Sequence, residues 1–356
     1  MRLRAALLTL ALGASLVAGP VSAQQPQRHS PPVERTDDNP LAGRPWGVYK
    51  GKADQAWEPY LKATGKRKKL LAKIALRPKA KWYGAWIPDR DIEATIRKHV
   101  VATVADDPET LFSASVFRMV PWEHESCDRL PSLAEQKSYK AWIRGFARGI
   151  GDAHAMLVLQ PDGPFALCVP HDSPVPSRLI RFAAKKLSRL PNSSVYIDGG
   201  SFDWTSVAEA LEILVPAGIE FTRGFALNST HYVGTGDEIR YAAEVSDALA
   251  AMGIAGKHAV INTAANGKPF YGYDYDGPNF DNAETCRSKD DTSCVTLGIP
   301  PTADVANPAW GLTAEENELA TAYVDGYVWV GRPWLYMQND PFVMSRALAV
   351  ARTTPY

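Results

Sequence analysis

The amino-acid sequence predicts an α/β fold in which parallel strands close into a barrel covered by helices. From Leu111 onward, short runs rich in Val, Ile, Leu and Ala alternate with longer segments of helical periodicity. Near-continuous apolar strands of this kind are typical of parallel sheets buried on both faces. Polar or aromatic residues follow each strand, as on the carboxyl-terminal rim of α/β barrels. An open, doubly wound sheet would instead gather them at one switch point.

The individual elements follow from the same patterns. The predicted strands are, in chain order, 113–120, 155–160, 194–200, 221–228, 258–264 and 324–331. The predicted helices between them are 134–151, 176–190, 207–218 and 238–252. Pro176 and Ser177 mark the start of the second helix, since proline fits the first helical turn. Parallel strands joined through helices are expected to form right-handed βαβ units.

Residues 1–23 have the order of a secretory signal. Arg2 and Arg4 precede an apolar run that ends in small residues, which predicts cleavage after Ala23. Glycine, serine and proline interrupt that run, which is shorter than the roughly 20 apolar residues of a membrane span. The mature chain is therefore expected to be secreted, extracellular and free of the membrane.

Residues 24–38 are polar and proline-rich, which predicts a short linker, and residues 39–356 have the composition of one globular domain. The formal net charge is zero, with 39 basic and 39 acidic residues. No strong field therefore attracts nucleic acid or an anionic membrane. No clustered Cys/His spacing predicts a metal, and 274–282 resembles calcium loops only loosely. A monomer is expected.

Four cysteines in an exported chain are expected to form disulfides, although four cysteines allow three connectivities. Cys286 and Cys294 flank a short loop that a local disulfide would close. Cys127 and Cys168 would then join two distant segments. On the chain-entropy model that second bridge contributes about 3–4 kcal/mol to stability.

Aromatic and carboxylate side chains share the predicted rim, which favours a carbohydrate ligand. Pyranose rings present C–H faces that stack on Trp and Tyr, while their hydroxyls need Asp, Asn, His or Arg. Six tryptophans lie at or near strand ends: Trp82, Trp86, Trp122, Trp204, Trp329 and Trp334. Any single one of them is explained equally well as a buried core residue. Six tryptophans beside polar residues together favour a sugar-binding cleft.

Glycosidic cleavage needs an acid for the leaving oxygen and a second carboxylate as nucleophile or base. Asp162, in the segment QPDG after the strand 155–160, is placed to be that acid. Pro-Asp-Gly is also a turn signal, so spacing alone favours a turn aspartate. The chain has no G-x-S-x-G elbow, H-E-x-x-H motif or phosphate loop that would indicate another chemistry.

At these residues the chain resembles glycoside hydrolase family 6, the inverting cellobiohydrolases and endo-β-1,4-glucanases. The matching segments, in the family's order over Asn39 to Phe342, are NPLAGRPWGVY, KWYGAW, LVLQPD, VYIDGGSFDW and RGFALNSTHY. Cys127 and Cys168 fall where the family has a disulfide, which supports their pairing. The resemblance implies a distorted parallel barrel with a cleft or tunnel across its top, β-1,4-glucan as substrate, inversion at the anomeric carbon, and no cofactor.

The resemblance also implies roles for individual residues. It makes Asp162 the catalytic acid and Trp82 a glucose-stacking residue. It implies that the other matched side chains bind the oligosaccharide or polysaccharide: Asp198, Trp204, Asn228, His231, Trp329 and Arg332.

Departures from the family pattern surround the cleavage point. The family's Arg-Asp before the first cysteine is Glu125-Ser126 here, so its carboxylate is replaced by Ser126. Glu125 or Glu123 could supply a charge there, but from a different angle. Asp340 is the only carboxylate near the family's usual base position. A second carboxylate raises an acid's pKa by repulsion. Without one, Asp162 is expected to ionise at neutral pH unless burial replaces that repulsion.

The leading hypothesis is a secreted, inverting, endo-acting β-1,4-glucanase. Asp162 would be its acid, with water activated through Ser126, Glu125 or Asp340. Two alternatives remain open at the level of sequence. One is a catalytically weakened glycan-binding protein on the same fold. The other is a hydrolase of a non-cellulosic wall polysaccharide.

Overall fold

The computed structural model describes residues 38–337 and 339–356, apart from the side chains of His124 and Asp340. The predicted signal segment 1–23 lies outside the described residues, as does the predicted linker 24–38 except for Asp38. None of the helices in the described ranges combines the length and the apolar character that crossing a membrane requires.

Seven parallel strands form one sheet whose spatial order follows the chain. They are β1 (Lys81–Gly84), β2 (Phe112–Phe117), β3 (Ala155–Leu159), β4 (Ser193–Asp198), β5 (Gly224–Leu227), β6 (His258–Asn262) and β7 (Val324–Val328). The sheet curls so that its two edge strands, β1 and β7, approach each other. The N–H of Ala80, just before β1, donates to the carbonyl of Trp329, just after β7, at 2.8 Å. The Trp82 indole donates to the Val330 carbonyl at 2.8 Å across the same gap. This curled half-barrel confirms the predicted α/β barrel and its distorted form.

Helices connect the strands and cover the sheet. They are α1 (Trp57–Lys62), α2 (Gly65–Ala75), α3 (Ile92–Val104), α4 (His124–Asp128), α5 (Leu133–Ile150), α6 (Val175–Leu187), α7 (Val207–Ala217), α8 (Thr235–Ala251), α9 (Ala314–Tyr323) and α10 (Met344–Thr353). A 3₁₀ helix, Gly163–Cys168, follows β3. A short antiparallel hairpin of β8 (Leu335–Tyr336) and β9 (Asn339–Phe342) follows β7.

Each of the six predicted strands is present, but several end earlier than the apolar pattern does. The strand predicted to reach Gln160 ends one residue before it, where Gln160 adopts φ 56°. The strand predicted to reach Gly200 ends at Asp198, and Gly200 has φ 94°. These turns aim the following side chains across the rim. The sequence pattern missed β1 because four residues are too few to show a period.

Two apolar cores lie on opposite faces of the sheet, which explains the near-continuous apolar strands. In β3, Met156 and Val158 belong to the core inside the barrel. Leu157 and Leu159 belong to the larger core between the sheet and the helices. This alternation follows from the two-residue period of a strand.

A buried ion pair joins three strands inside the barrel. Arg223, just before β5, donates from Nε to Asp325 Oδ2 at 2.7 Å and from Nη2 to Oδ1 at 3.0 Å. The Tyr196 hydroxyl of β4 donates to Asp325 Oδ2 at 2.7 Å. Asp325, in β7, has a fully buried side chain. These charge-assisted bonds fix the mutual positions of β4, β5 and β7.

Both predicted disulfides are confirmed. Cys127–Cys168 joins α4 to the 3₁₀ helix after β3, and Cys286–Cys294 closes a loop between β6 and α9. The first bridge therefore ties the segment after β2 to the segment that contains Asp162.

Candidate active site

The carboxyl ends of the strands surround a cleft of about 550 Å³. Strand ends meet there because all seven strands run parallel. The predicted site residues that line the cleft are Trp82, Asp162, Trp204, His231 and Arg332.

Asp162 lies three residues beyond the end of β3, in the left-handed region at φ 64° and ψ 38°. Its side chain is partly exposed to the cleft. Thr230, in the loop after β5, donates its hydroxyl to Asp162 Oδ1 at 2.8 Å. One carboxylate oxygen is thus fixed by the protein. Backbone held in this sparsely populated region is typical of functional sites.

The pKa of Asp162 is raised to about 7. Burial is the largest cause, because a low-dielectric environment disfavours the carboxylate. The Thr230 hydrogen bond lowers the pKa, while repulsion from Asp198 and Glu123 raises it further. Near neutral pH this carboxyl therefore retains a substantial protonated fraction, as a proton donor requires.

Asp198, at the end of β4, is 1% exposed and both its oxygens bind protein groups. Oδ1 accepts from the Gly163 N–H at 3.0 Å and the Gly200 N–H at 3.2 Å, and Oδ2 accepts from the Ser229 hydroxyl. A side chain at Gly163 would overlap the Asp198 main chain, so only glycine fits there. Burial raises the pKa of Asp198 to about 7, although the three donated hydrogen bonds act to lower it. In this structure Asp198 positions the turn of Asp162, and its predicted role as a sugar-hydroxyl partner stays a prediction.

His231 and Trp204 form one wall of the cleft. Their rings stack at a centroid distance of 4.7 Å with an interplanar angle of 9°. Asp203 accepts from His231 Nδ1 at 2.7 Å and from the Gly272 N–H at 2.7 Å. Burial acts to raise the pKa of Asp203, but the donated hydrogen bonds and the His231 charge outweigh it and leave that pKa below its usual value. Asp203 therefore fixes the orientation of the His231 ring.

Trp82 and Arg332 also belong to the cleft lining, and they contact each other. The Arg332 guanidinium carbon lies 4.9 Å from the centroid of the Trp82 ring. This geometry is a cation–π contact. Trp82 is only 9% exposed, so its predicted role as a sugar platform meets a steric obstacle.

Two predicted substrate-binding residues are buried away from the cleft. Asn228 is 0% exposed, and its amide donates to the carbonyls of Val233 and Asn262 at 3.2 and 3.0 Å. Trp329 is 2% exposed, and its indole donates to the Ile299 carbonyl at 3.0 Å. Neither residue is part of the described cleft lining, and both substrate-binding assignments stay predictions.

Two of the three predicted water-activating residues, Ser126 and Glu125, are not part of the described cleft lining. Ser126 is 1% exposed, and its hydroxyl bonds to the main-chain carbonyls of Glu123 and Phe165 at 2.8 and 3.1 Å. Glu125 is an exposed residue outside the cleft lining and pairs with Arg129 at 3.7 Å. Asp340 belongs to β9, and its side chain lies outside the described residues.

Thr230 lines the cleft, although the sequence assigned it no role. Trp86 and Glu123 also line it. The sequence named Trp86 only among the tryptophans near strand ends. Glu123 has φ 54°, and it lines the cleft whereas Glu125, two residues on, does not. The position of Thr230, three residues after the end of β5, was the signal for a cleft residue. Among the described residues, no group of three His, Cys, Asp or Glu side chains is arranged to hold a metal ion.

Comparison with known sequences gives two informative relatives. Endoglucanase A of Cellulomonas fimi is 30% identical over 223 residues, which cover 62% of this chain and 47% of that protein. Endoglucanase 1 of Streptomyces halstedii is 26% identical over 243 residues, which cover 67% of this chain and 74% of that protein. The match thus spans about half the length of the Cellulomonas relative.

Comparison with solved structures supports the same relationship. The endoglucanase Cel6 of Mycobacterium tuberculosis, solved with methyl-cellobiosyl-4-deoxy-4-thio-β-D-cellobioside, superimposes with a TM-score of 0.69 at 26% identity. That superposition covers 88% of this chain and 98% of the mycobacterial one. The sequence profile described as "Glycosyl hydrolases family 6" matches residues 46–333, well over half of the chain. The chain therefore belongs to glycosyl hydrolase family 6.

Proposed function

We propose that this protein is a secreted, inverting, endo-acting β-1,4-glucanase in which Asp162 is the general acid. The observation that carries the proposal is a partly buried carboxyl at the cleft surface with its pKa raised to about 7. A general acid is most effective when its pKa lies near the working pH.

The relatives support the substrate and the mode of attack. Two are endoglucanases by name, and the mycobacterial endoglucanase was solved with a thio-linked cello-oligosaccharide. Exposed aromatic rings of the cleft, Trp86 at 60% and Tyr336 at 51%, suit the binding of sugar rings from solvent. The secretory pattern of residues 1–23 supports export.

In the proposed reaction, Asp162 transfers its proton to the glycosidic oxygen as the bond from that oxygen to the anomeric carbon breaks. A water molecule attacks the anomeric carbon from the opposite face and loses a proton to a base. Asp162 ends as a carboxylate and the base ends protonated. Exchange of both protons with solvent restores the starting state.

We propose Glu123 as the group that receives the proton of the water. It lines the cleft with Asp162, and its charge contributes to the raised pKa of Asp162. Besides Asp162 and Glu123, the described cleft lining has one more carboxylate, that of Asp281. Asp281 does not contribute to the raised pKa of Asp162. Asp340 stays a prediction for the same role.

Replacing Asp162 by Asn tests the proposed acid. We expect the release of reducing ends from soluble cello-oligosaccharides to fall by roughly 10²–10⁴-fold, the usual contribution of a general acid. Asp152→Asn, at an exposed aspartate outside the cleft, is the matched control. Equal rates for wild type and Asp162→Asn would remove Asp162 from the mechanism.

The same assay separates the alternatives. Saturable oligosaccharide binding without new reducing ends on long incubation would support a glycan-binding protein. Release of sugar from mannan or arabinogalactan but not from β-glucans would support a hydrolase of another wall polysaccharide.

The pH dependence of kcat/KM tests the ionisation of Asp162. Because the acid acts when protonated, we expect kcat/KM to fall tenfold per pH unit above about pH 7. Thr230→Val removes the hydrogen bond that lowers this pKa, so the fall should move to higher pH by up to about one unit. Thr230→Ser retains a hydroxyl and is the control. An unchanged profile in Thr230→Val would count against Asp162 as the titrating acid.

Glu123→Gln and Glu125→Gln form a matched pair that tests the base. We expect Glu123→Gln to lower kcat by roughly 10²-fold or more, since a general base contributes at least that much. Removing its charge should also lower the pKa of Asp162 and move the alkaline fall to lower pH. Glu125→Gln, outside the cleft lining, should retain wild-type kcat. Loss of activity in Glu125→Gln alone would overturn the assignment.

A further inference from the structure

Two tryptophans, Trp82 within β1 and Trp86 just after it, differ sharply in exposure. Trp82 is 9% exposed and Trp86 is 60% exposed, although both line the cleft. The Trp82 ring packs against Phe117 at a centroid distance of 5.2 Å, and its indole N–H is used by the Val330 carbonyl. Trp82 is therefore built into the wall of the cleft.

Arg332 occupies a face of the Trp82 ring. Its guanidinium carbon lies 4.9 Å from the ring centroid, in the position of a cation–π contact. A planar guanidinium in that place excludes a pyranose ring from the same face. Stacking of sugar on Trp82 would first require Arg332 to move and the contact to be lost.

Trp86 offers a ring without that obstacle. A Cβ added at Gly84 would overlap the Trp86 ring and the Phe117 carbonyl, so the ring lies directly on the glycine backbone. The six-membered ring of Trp86 is thereby held against β1. With 60% of the residue exposed, much of the indole is open to solvent at the cleft.

We propose that Trp86 is the sugar-stacking platform at this end of the cleft, and that Arg332 covers Trp82 and closes the subsite that Trp82 would otherwise form. This inference rests on the proposed function, because its ligand is a β-1,4-linked gluco-oligosaccharide. It makes Arg332 a determinant of how many sugar units the cleft accepts. Trp86 replaces Trp82 in the stacking role predicted from the sequence.

Binding measurements in the full chain test the proposal. The parent is Asp162→Asn, which is expected not to cleave the ligand, and cellotetraose is the probe in titration calorimetry. Trp86→Ala should weaken the affinity by about tenfold, whereas Trp82→Phe should change it by less than about twofold. Tyr273→Ala, at a tyrosine that is 67% exposed and outside the cleft lining, controls for loss of a surface aromatic.

The covering role of Arg332 has its own readout. Arg332→Ala should increase the affinity for cellohexaose relative to cellotetraose, because an additional ring can then stack on Trp82. The increase should disappear in the double variant Arg332→Ala/Trp82→Leu. Matching unfolding transitions of the variants and the parent would show that binding, not folding, has changed.

The outcomes distinguish this inference from the proposed function. Hydrolysis by wild type together with an unchanged affinity in Trp86→Ala would overturn the platform assignment alone. A loss in Trp82→Phe as large as that in Trp86→Ala would do the same. A parent that binds no cello-oligosaccharide, with a wild type that hydrolyses none, would overturn both.

Discussion

The geometry of the site depends on one buried carboxylate, that of Asp198. It accepts hydrogen bonds from Gly163, Gly200 and Ser229, which belong to the loops after β3, β4 and β5. Three neighbouring rim loops are therefore fixed to one another by a single side chain. The contact between Thr230 and Asp162 depends on this arrangement, because each lies next to a residue that Asp198 holds. Fixing catalytic groups in this way reduces the cost of orienting them during the reaction.

Burial is the main reason that the pKa of Asp162 is raised. Ser126 stands where the resemblance implies an aspartate, and its hydroxyl is bound to the main chain rather than facing the cleft. Desolvation is nevertheless the largest cause of the raised pKa of Asp162, with repulsion from Asp198 and Glu123 adding to it. The missing carboxylate thus does not leave Asp162 fully ionised at neutral pH, which removes the main objection that the sequence raised against the proposed acid.

Much of the fold was predictable because apolar periodicity reports which faces are buried. The barrel, its rim, the place of Asp162 after β3 and both disulfides follow from that pattern and from the resemblance. The direction of individual side chains does not. Trp329 is covered in the core that includes residues of α10, a contact distant in sequence. Glu123 lines the cleft and Glu125 does not, although the two residue types are the same and the positions differ by two.

Infrared difference spectroscopy of the wild-type chain against Asp162→Asn tests the protonation of Asp162 most directly. The difference isolates the carboxyl of Asp162 from Asp198, whose pKa is also raised to about 7. The predicted result is a protonated carboxyl band that belongs to Asp162 and disappears with a midpoint near pH 7. A carboxylate band for Asp162 that persists down to about pH 4, its ordinary range, would contradict the central role of burial.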